Sequence, residues 1–222
     1  MSHANDRLFD HQAAREWKLK KTRAEKDKVM PLADAVAQYV EDGDSLIETG
    51  FAYARGPLGA YWEIGRQKKK DLVGIFTPGG LNTIWHESGG LEGAHIAYVG
   101  VEMRGLFSTL RRGVEGGTLK VFSEWSHGGL AWALRAAEQG LNYVACKSML
   151  GSDIIKTNPY IKVEQDPWTG EPVCLVPAIY PDVAIFHVHH ADKFGNGRIW
   201  GASVNDTAIV TAARKVIVTC ER

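Results

Sequence analysis

Three cysteines in 222 residues are too few for a disulfide framework, and Cys146, Cys174 and Cys220 lie far apart. Set in apolar, strand-like surroundings, they read as small buried thiols. Neither sign of charge is in excess, since Lys+Arg and Asp+Glu both number 26. The lack of a basic field argues against nucleic acid or an anionic membrane surface as partner. No apolar run approaches the ~20 residues of a bilayer span. The start, Met1-Ser2-His3-Ala4-Asn5-Asp6-Arg7, has no apolar stretch of the secretory kind. Cytoplasmic location is the simplest expectation. Neither G-x-G-x-x-G nor G-x-x-x-x-G-K-S/T occurs, which lowers the case for a nucleotide cofactor. Internal repeats and low-complexity tracts are missing too.

What is present fits one α/β domain preceded by a charged segment. Residues 1–29 are dominated by charge, as in Arg15-Glu16-Trp17-Lys18-Leu19-Lys20-Lys21, and read as an exposed, partly helical arm. Leu8, Ala13, Trp17 and Leu19 leave a docking segment as the alternative. Residues 30–222 form the domain. Its opening helix carries Leu32, Ala35, Val36, Tyr39 and Val40 at helical spacing after Pro31. A strand at 45–48, a helix at 58–67, a strand at 72–77, a short helix at 81–86 and a strand at 95–99 follow. Then come a helix at 107–114, a strand at 119–122, the best-formed helix at 129–139 and a strand at 142–148. This alternation predicts an open, mostly parallel sheet with helices on both faces. A hairpin at 160–164 and 171–176, a strand from Asp182, a helix at 207–214 capped by Asp206 and a final strand at 216–219 complete the reading. Trp62, Trp132 and Trp200 fall at apolar positions and read as core or interface.

Ligands of such sheets bind beyond the carboxyl ends of the strands, so the loops there are the ones to read. Gly50, Gly79, Gly80 and Gly151 let backbone N–H groups approach an anion. Arg55 in the first loop can grip a carboxylate with its planar fork. Glu48 ends the first strand, and Glu124, with His127, stands at the entrance of the best helix, where an anion is favoured. His187-Val188-His189-His190 and Asp192 resemble a metal cluster, but their loose spacing at a turn favours a plain strand end and no metal.

The last third carries the most specific signal. Val176-Pro177-Ala178-Ile179-Tyr180-Pro181 leads into Asp182-Val183-Ala184-Ile185-Phe186-His187, then Ala191-Asp192, Gly195-Asn196-Gly197 and Arg198-Ile199-Trp200-Gly201. This strand, turn and return strand resemble the α subunits of family I CoA-transferases, and those of the glutaconate type most closely. The resemblance runs from Val29 to Glu221 and ends on Val218-Thr219-Cys220-Glu221. It implies the CoA-transferase-like α/β fold and a partner β subunit that carries the nucleophilic Glu. It also implies acyl-CoA and carboxylic acid substrates, with coenzyme A as substrate and no permanently bound cofactor. Family chains have an acidic residue at Glu124, and His127 stands where the glutaconate type has Gln. A related branch, CoA-ester hydrolases of steroid-ring degradation, is implied to use a carboxylate from this region.

Glu124 and His127 are therefore the expected catalytic residues, with Gly50, Phe51, Arg55, Gly79, Gly80 and Gly151 expected to bind substrate. Glu48 is expected to be structural, because the family nucleophile belongs to the partner. His187 matches a family His, which again points away from metal. In two respects the chain departs from the family: Thr49-Gly50-Phe51 replaces Gly-Gly-Phe in the first loop, and family chains usually continue past the end of this one. Three readings remain: a transferase α subunit, a component of a CoA-ester hydrolase, and a non-catalytic binding or scaffold protein.

Overall fold

The computed structural model describes residues 3–22, 24–51, 54–77, 83–100 and 105–222. Along the chain run α1 (Ala4–Leu8), α2 (His11–Lys20), α3 (Leu32–Tyr39), β1 (Ser45–Glu48), α4 (Leu58–Arg66), β2 (Leu72–Phe76), α5 (Thr83–Glu87) and β3 (Leu91–Ile96). Next come α6 (Ser108–Glu115), β4 (Lys120–Glu124), α7 (His127–Gln139), β5 (Tyr143–Cys146), α8 (Ile154–Thr157), β6 (Lys162–Gln165) and β7 (Pro172–Pro177). The chain closes with β8 (Val183–Val188), β9 (His190–Ala191), β10 (Gly197–Arg198), α9 (Asp206–Ala212) and β11 (Lys215–Cys220).

One six-stranded sheet in the order β11-β8-β1-β2-β3-β4 is parallel throughout. Both of its faces are covered, so β1 and β2 are buried along their whole length, and β2 reads as a continuous apolar run. On one face, Val216, Ala184, Ile47, Ile75, His95 and Ser123 stand in register across the six strands. The apolar members pack with α7 and α9 through Leu130, Leu134 and Ile209. Leu46, Phe76, Ala94 and Ile185 form the other face and pack with Val36, Tyr61, Ile64 and Trp85. His95 and Ser123 are thus the polar end of an otherwise apolar row.

The strand expected at 142–148 does not extend this sheet. As β5 it pairs antiparallel with β7, which pairs in turn with β6, in a separate three-stranded sheet. Its partner β7 is the return strand of the β6 hairpin and offers β5 its other edge, so β5 joins the hairpin sheet and not β4. The expected hairpin is present as β6 and β7. The strand expected at 95–99 begins earlier, at Leu91. Its Gly93 reads as a loop residue but is required in the strand: a Cβ there would lie 2.6 Å from the Lys120 carbonyl and 2.5 Å from the Phe122 ring. Trp62, Trp132 and Trp200 are 63%, 39% and 55% exposed, so they are surface rather than core residues.

The exposed arm expected over residues 1–29 is instead docked along α1 and into α2. Ala4, Leu8 and Ala14 are buried, and fully burying a leucine such as Leu8 contributes roughly 1.5–3 kcal/mol. The Arg7 guanidinium donates twice to Asp182, from Nε to Oδ1 at 3.2 Å and from Nη2 to Oδ2 at 3.0 Å, and Nη2 also reaches the Gly43 carbonyl at 2.8 Å. Asp182 Oδ2 further accepts from the Ser45 amide and hydroxyl, both at 2.9 Å. The segment is thereby fastened to the amino-terminal ends of β1 and β8. Among the described residues no helix is long and apolar enough to cross a membrane.

Candidate functional site

Because the sheet is parallel, all its carboxyl ends share one edge, and the candidate residues there fall into two groups. The first follows β1. Thr49 continues the ladder by donating to the Ile185 carbonyl at 3.0 Å, and the chain then turns sharply through Gly50 at φ 111°. Glycine is required at that turn, since a Cβ would lie 2.6 Å from the Ala54 carbonyl. Phe51 and Ala54 exchange backbone hydrogen bonds at 3.1 and 2.8 Å, closing the loop, and Phe51 is 36% exposed.

Arg55 is not a solvent-facing loop residue. It sits buried at φ 61° and donates from Nη2 to Asp206 Oδ2 and to the Ala202 carbonyl, each at 2.6 Å. Asp206 Oδ1 also accepts from the Gly50 amide at 3.2 Å. Asp206 was expected to cap α9; in fact Asn205 occupies the N-cap position, and Asp206 is the first helical residue. Its carboxylate is spent on the loop. Arg55 Nε and Nη1 and Thr49 Oγ1 are buried and have no hydrogen-bond partner among the described residues.

Glu48 is buried directly beneath this loop, and burial pushes its carboxyl up to about 8. It faces the core shared with α3 and α4, in register with Ile185, so its placement suits a structural carboxyl.

The second group follows β4. Glu124 ends the strand with an exposed side chain, and its carbonyl accepts from Asn158 Nδ2 at 2.8 Å. The N-cap of α7 is Ser126, whose Oγ accepts from the Gly129 amide at 2.9 Å. The same Oγ meets Ser148 Oγ at 2.7 Å. His127 opens α7 half-buried, and burial lowers its pKa, so the ring is largely neutral near pH 7. Its ring lies 6.3 Å from that of Tyr98.

Gly151, at φ 80°, is exposed beyond β5 and thus follows a strand of the small sheet. Gly79 and Gly80 lie outside the described residues. The two groups themselves are separated by three strand spacings, about 14 Å.

The histidine run has other engagements. His187 Nδ1 meets Thr219 Oγ1 at 2.9 Å, while His189 and His190 each set their rings edge-on to Trp200 at 5.0 Å. No cluster of three or more His, Cys, Asp or Glu suited to a metal occurs among the described residues. A polar cavity of about 610 Å³, lined by Arg7, Asp44, Asp182, Arg214 and Lys215, lies at the opposite, amino-terminal edge of the sheet. It belongs to the docking of α1.

Residues 29–222 match the family model of coenzyme A transferase. The chain belongs to the coenzyme A transferase family. The A-type subunit of the 3-oxoadipate CoA-transferase of Pseudomonas knackmussii is 34% identical over 87% of this chain and 69% of its own length. Its counterpart in the glutaconate CoA-transferase of Acidaminococcus fermentans, likewise of the A type, is 32% identical over 87% of this chain and 66% of its own. The crystal structure of that glutaconate enzyme superposes with a TM-score of 0.81 over 87% of this chain. An uncharacterized protein of Archaeoglobus fulgidus is 40% identical over 93% of this chain but only 47% of its own length. The chain thus spans about half of one relative and about two thirds of the other two. The sequence pointed to Gly50 and Arg55 in this loop but not to their contact with Asp206, because an acidic residue before a helix reads as a cap.

Proposed function

We propose that the chain is the α subunit of a CoA-transferase that moves CoA between an acyl-CoA ester and a carboxylic acid. In this reading a partner β subunit supplies the nucleophilic Glu. That carboxylate attacks the thioester carbonyl and expels CoA thiolate, leaving an acyl-glutamyl anhydride. CoA thiolate then attacks the glutamyl carbonyl, releasing the free acid and leaving a glutamyl-CoA thioester. A second acid enters and runs the two steps in reverse.

The observation that carries the reading is the loop after β1. Buried polar groups are almost always hydrogen-bonded, yet Arg55 Nε, Arg55 Nη1 and Thr49 Oγ1 have no partner among the described residues. Each of these guanidinium N–H groups can donate to an oxygen of a carboxylate. Asp206 balances the standing charge of Arg55, so the pocket is not strongly cationic before substrate enters. Gly50 and Phe51 shape the turn beside it, and we assign substrate contacts to Gly79, Gly80 and Gly151 as well. Glu124 and His127 serve the other end of the substrate, about 14 Å away.

The test is co-expression with a B-type subunit of this family, followed by an assay of CoA exchange between acyl-CoA esters and free acids. The single chain is expected to show no transfer, and the pair is expected to restore it. Turnover by the single chain, or none by the pair across short mono- and dicarboxylic acids, would overturn the reading.

A hydrolase reading is supported by the exposed Glu124 beside a largely neutral His127, a pair able to activate water. Release of free CoA without an acceptor acid would select it. In either chemistry Glu124→Gln is expected to lower turnover of the assembled enzyme more than tenfold, ~1.4 kcal/mol of barrier. Unchanged kinetics would make Glu124 a bystander.

A further inference from the structure

We propose that the segment ahead of the family domain positions the β4–α7 loop through a hydrogen-bond chain that runs from Asn5 through His95 and Ser123 to Trp125. The family match begins at residue 29, so Asn5 lies outside it. Asn5 Oδ1 meets His95 Nε2 at 3.0 Å, His95 Nδ1 meets Ser123 Oγ at 2.6 Å, and Trp125 Nε1 meets the same Oγ at 2.6 Å.

The proton positions follow from what each group can do. An indole N–H only donates, so Ser123 Oγ accepts from Trp125. Asn5 presents a carbonyl oxygen, so His95 Nε2 carries the ring proton and donates it. Nδ1 is then an acceptor, and Ser123 turns its hydroxyl hydrogen towards it. Every partner is satisfied only if His95 is neutral and in this one tautomer. The surroundings agree: His95 is 1% exposed, with Phe9, Phe122 and Tyr160 around it at ring separations of 5.7–5.9 Å. Burial holds its pKa at about 3. Phe9, from the same leading segment, stacks on Tyr160 at 3.9 Å and covers the chain from solvent.

The far end is what gives the chain a function. Trp125, 2% exposed, stands between Glu124 and Ser126, the cap of α7. Fixing its indole fixes the backbone from which the Glu124 and His127 side chains project. Asn5 touches neither group and acts through His95, so it is a positioning residue. The kinetic consequence rests on the function proposed above, whereas the structural one does not.

The full-length chain would be compared as wild type, Asn5→Leu, which keeps the bulk and removes the acceptor, and Asn5→Asp, which keeps the acceptor. Nitrogen NMR of the isolated chain should show His95 protonated at Nε2 alone in wild type and Asn5→Asp. In Asn5→Leu that single tautomer should be lost. Exchange of the Trp125 indole and of amides 125–130 should quicken about tenfold there, with β1 and β8 unaffected. In the assembled enzyme Asn5→Leu should lower kcat about tenfold with KM within twofold, and Asn5→Asp should restore it.

The proposal is overturned if Asn5→Leu leaves the tautomer and loop exchange unchanged, or if exchange rises equally throughout the sheet. Loss of kcat that tracks melting temperature alone and is not restored by Asp also overturns it. Should the wild-type pair transfer no CoA, the proposed function fails, while tautomer and exchange still decide the chain of bonds.

Discussion

Glu48→Gln is expected to stabilise the protein at pH 8.5 by a few kcal/mol and to leave it nearly unchanged at pH 4.5. The Glu48 carboxyl is raised by burial from an ordinary value of 4.5 to about 8. Between those values the folded state holds a proton that the unfolded chain releases, so stability falls as pH rises, by up to about 1.4 kcal/mol per pH unit. The contribution is fully present below about pH 4.5 and gone above about pH 8. Glutamine keeps the shape and the uncharged state at every pH. Burial also raises Asp44, which complicates the wild-type curve alone. The wild-type minus variant difference in urea unfolding, measured from pH 4.5 to 8.5, isolates Glu48. A difference that does not grow with pH would show the carboxyl to be ionised in the fold.

Asp206→Ala carries the other large effect. Arg55 and Asp206 are 4% and 3% exposed at their side chains and 2.6 Å apart. Removing the carboxylate leaves a buried guanidinium uncompensated, which costs about 3–5 kcal/mol. At about 2–4 °C per kcal/mol for a chain of this size, melting should fall on the order of 10 °C. The Gly50 amide loses its acceptor as well. Arg55→Met combined with Asp206→Leu should recover most of the melting temperature and none of the substrate binding. Calorimetry with a double-mutant cycle measures both. If Asp206→Ala alone melts as wild type does, the pair is not a buried ionic anchor.

The parallel sheet was legible because its strands are short apolar runs between helices of plain amphipathic period, and such patterns are local. Two features escaped because they are not local. The side sheet arises because β5 takes its partner from the later β6–β7 hairpin, and apolar content alone cannot reveal which edge a strand will join. The docked leading segment was legible only as an alternative, through Leu8, because the residues that hold it, Asn5, Arg7, Leu8 and Phe9, lie in a stretch whose composition reads as solvated. Arg7 finds its partner Asp182 far along the chain, a distance over which composition carries no information. Position also misled for Asp206, since the residue types that cap a helix are the same ones that neutralise a buried arginine. The turn at Gly50 was readable because a strand-to-helix connection needs one nearby, whereas nothing local showed that Arg55 would be buried against Asp206.

The spacing between the two groups at the carboxyl edge bears on how such a protein diverges. Effects of substitutions more than about 7–10 Å apart with no shared partner usually add. The loop around Arg55 and the entrance of α7 can therefore accumulate changes independently, each acceptable without a compensating change in the other. Selection can reshape one end of this edge a residue at a time while the other stays as it was.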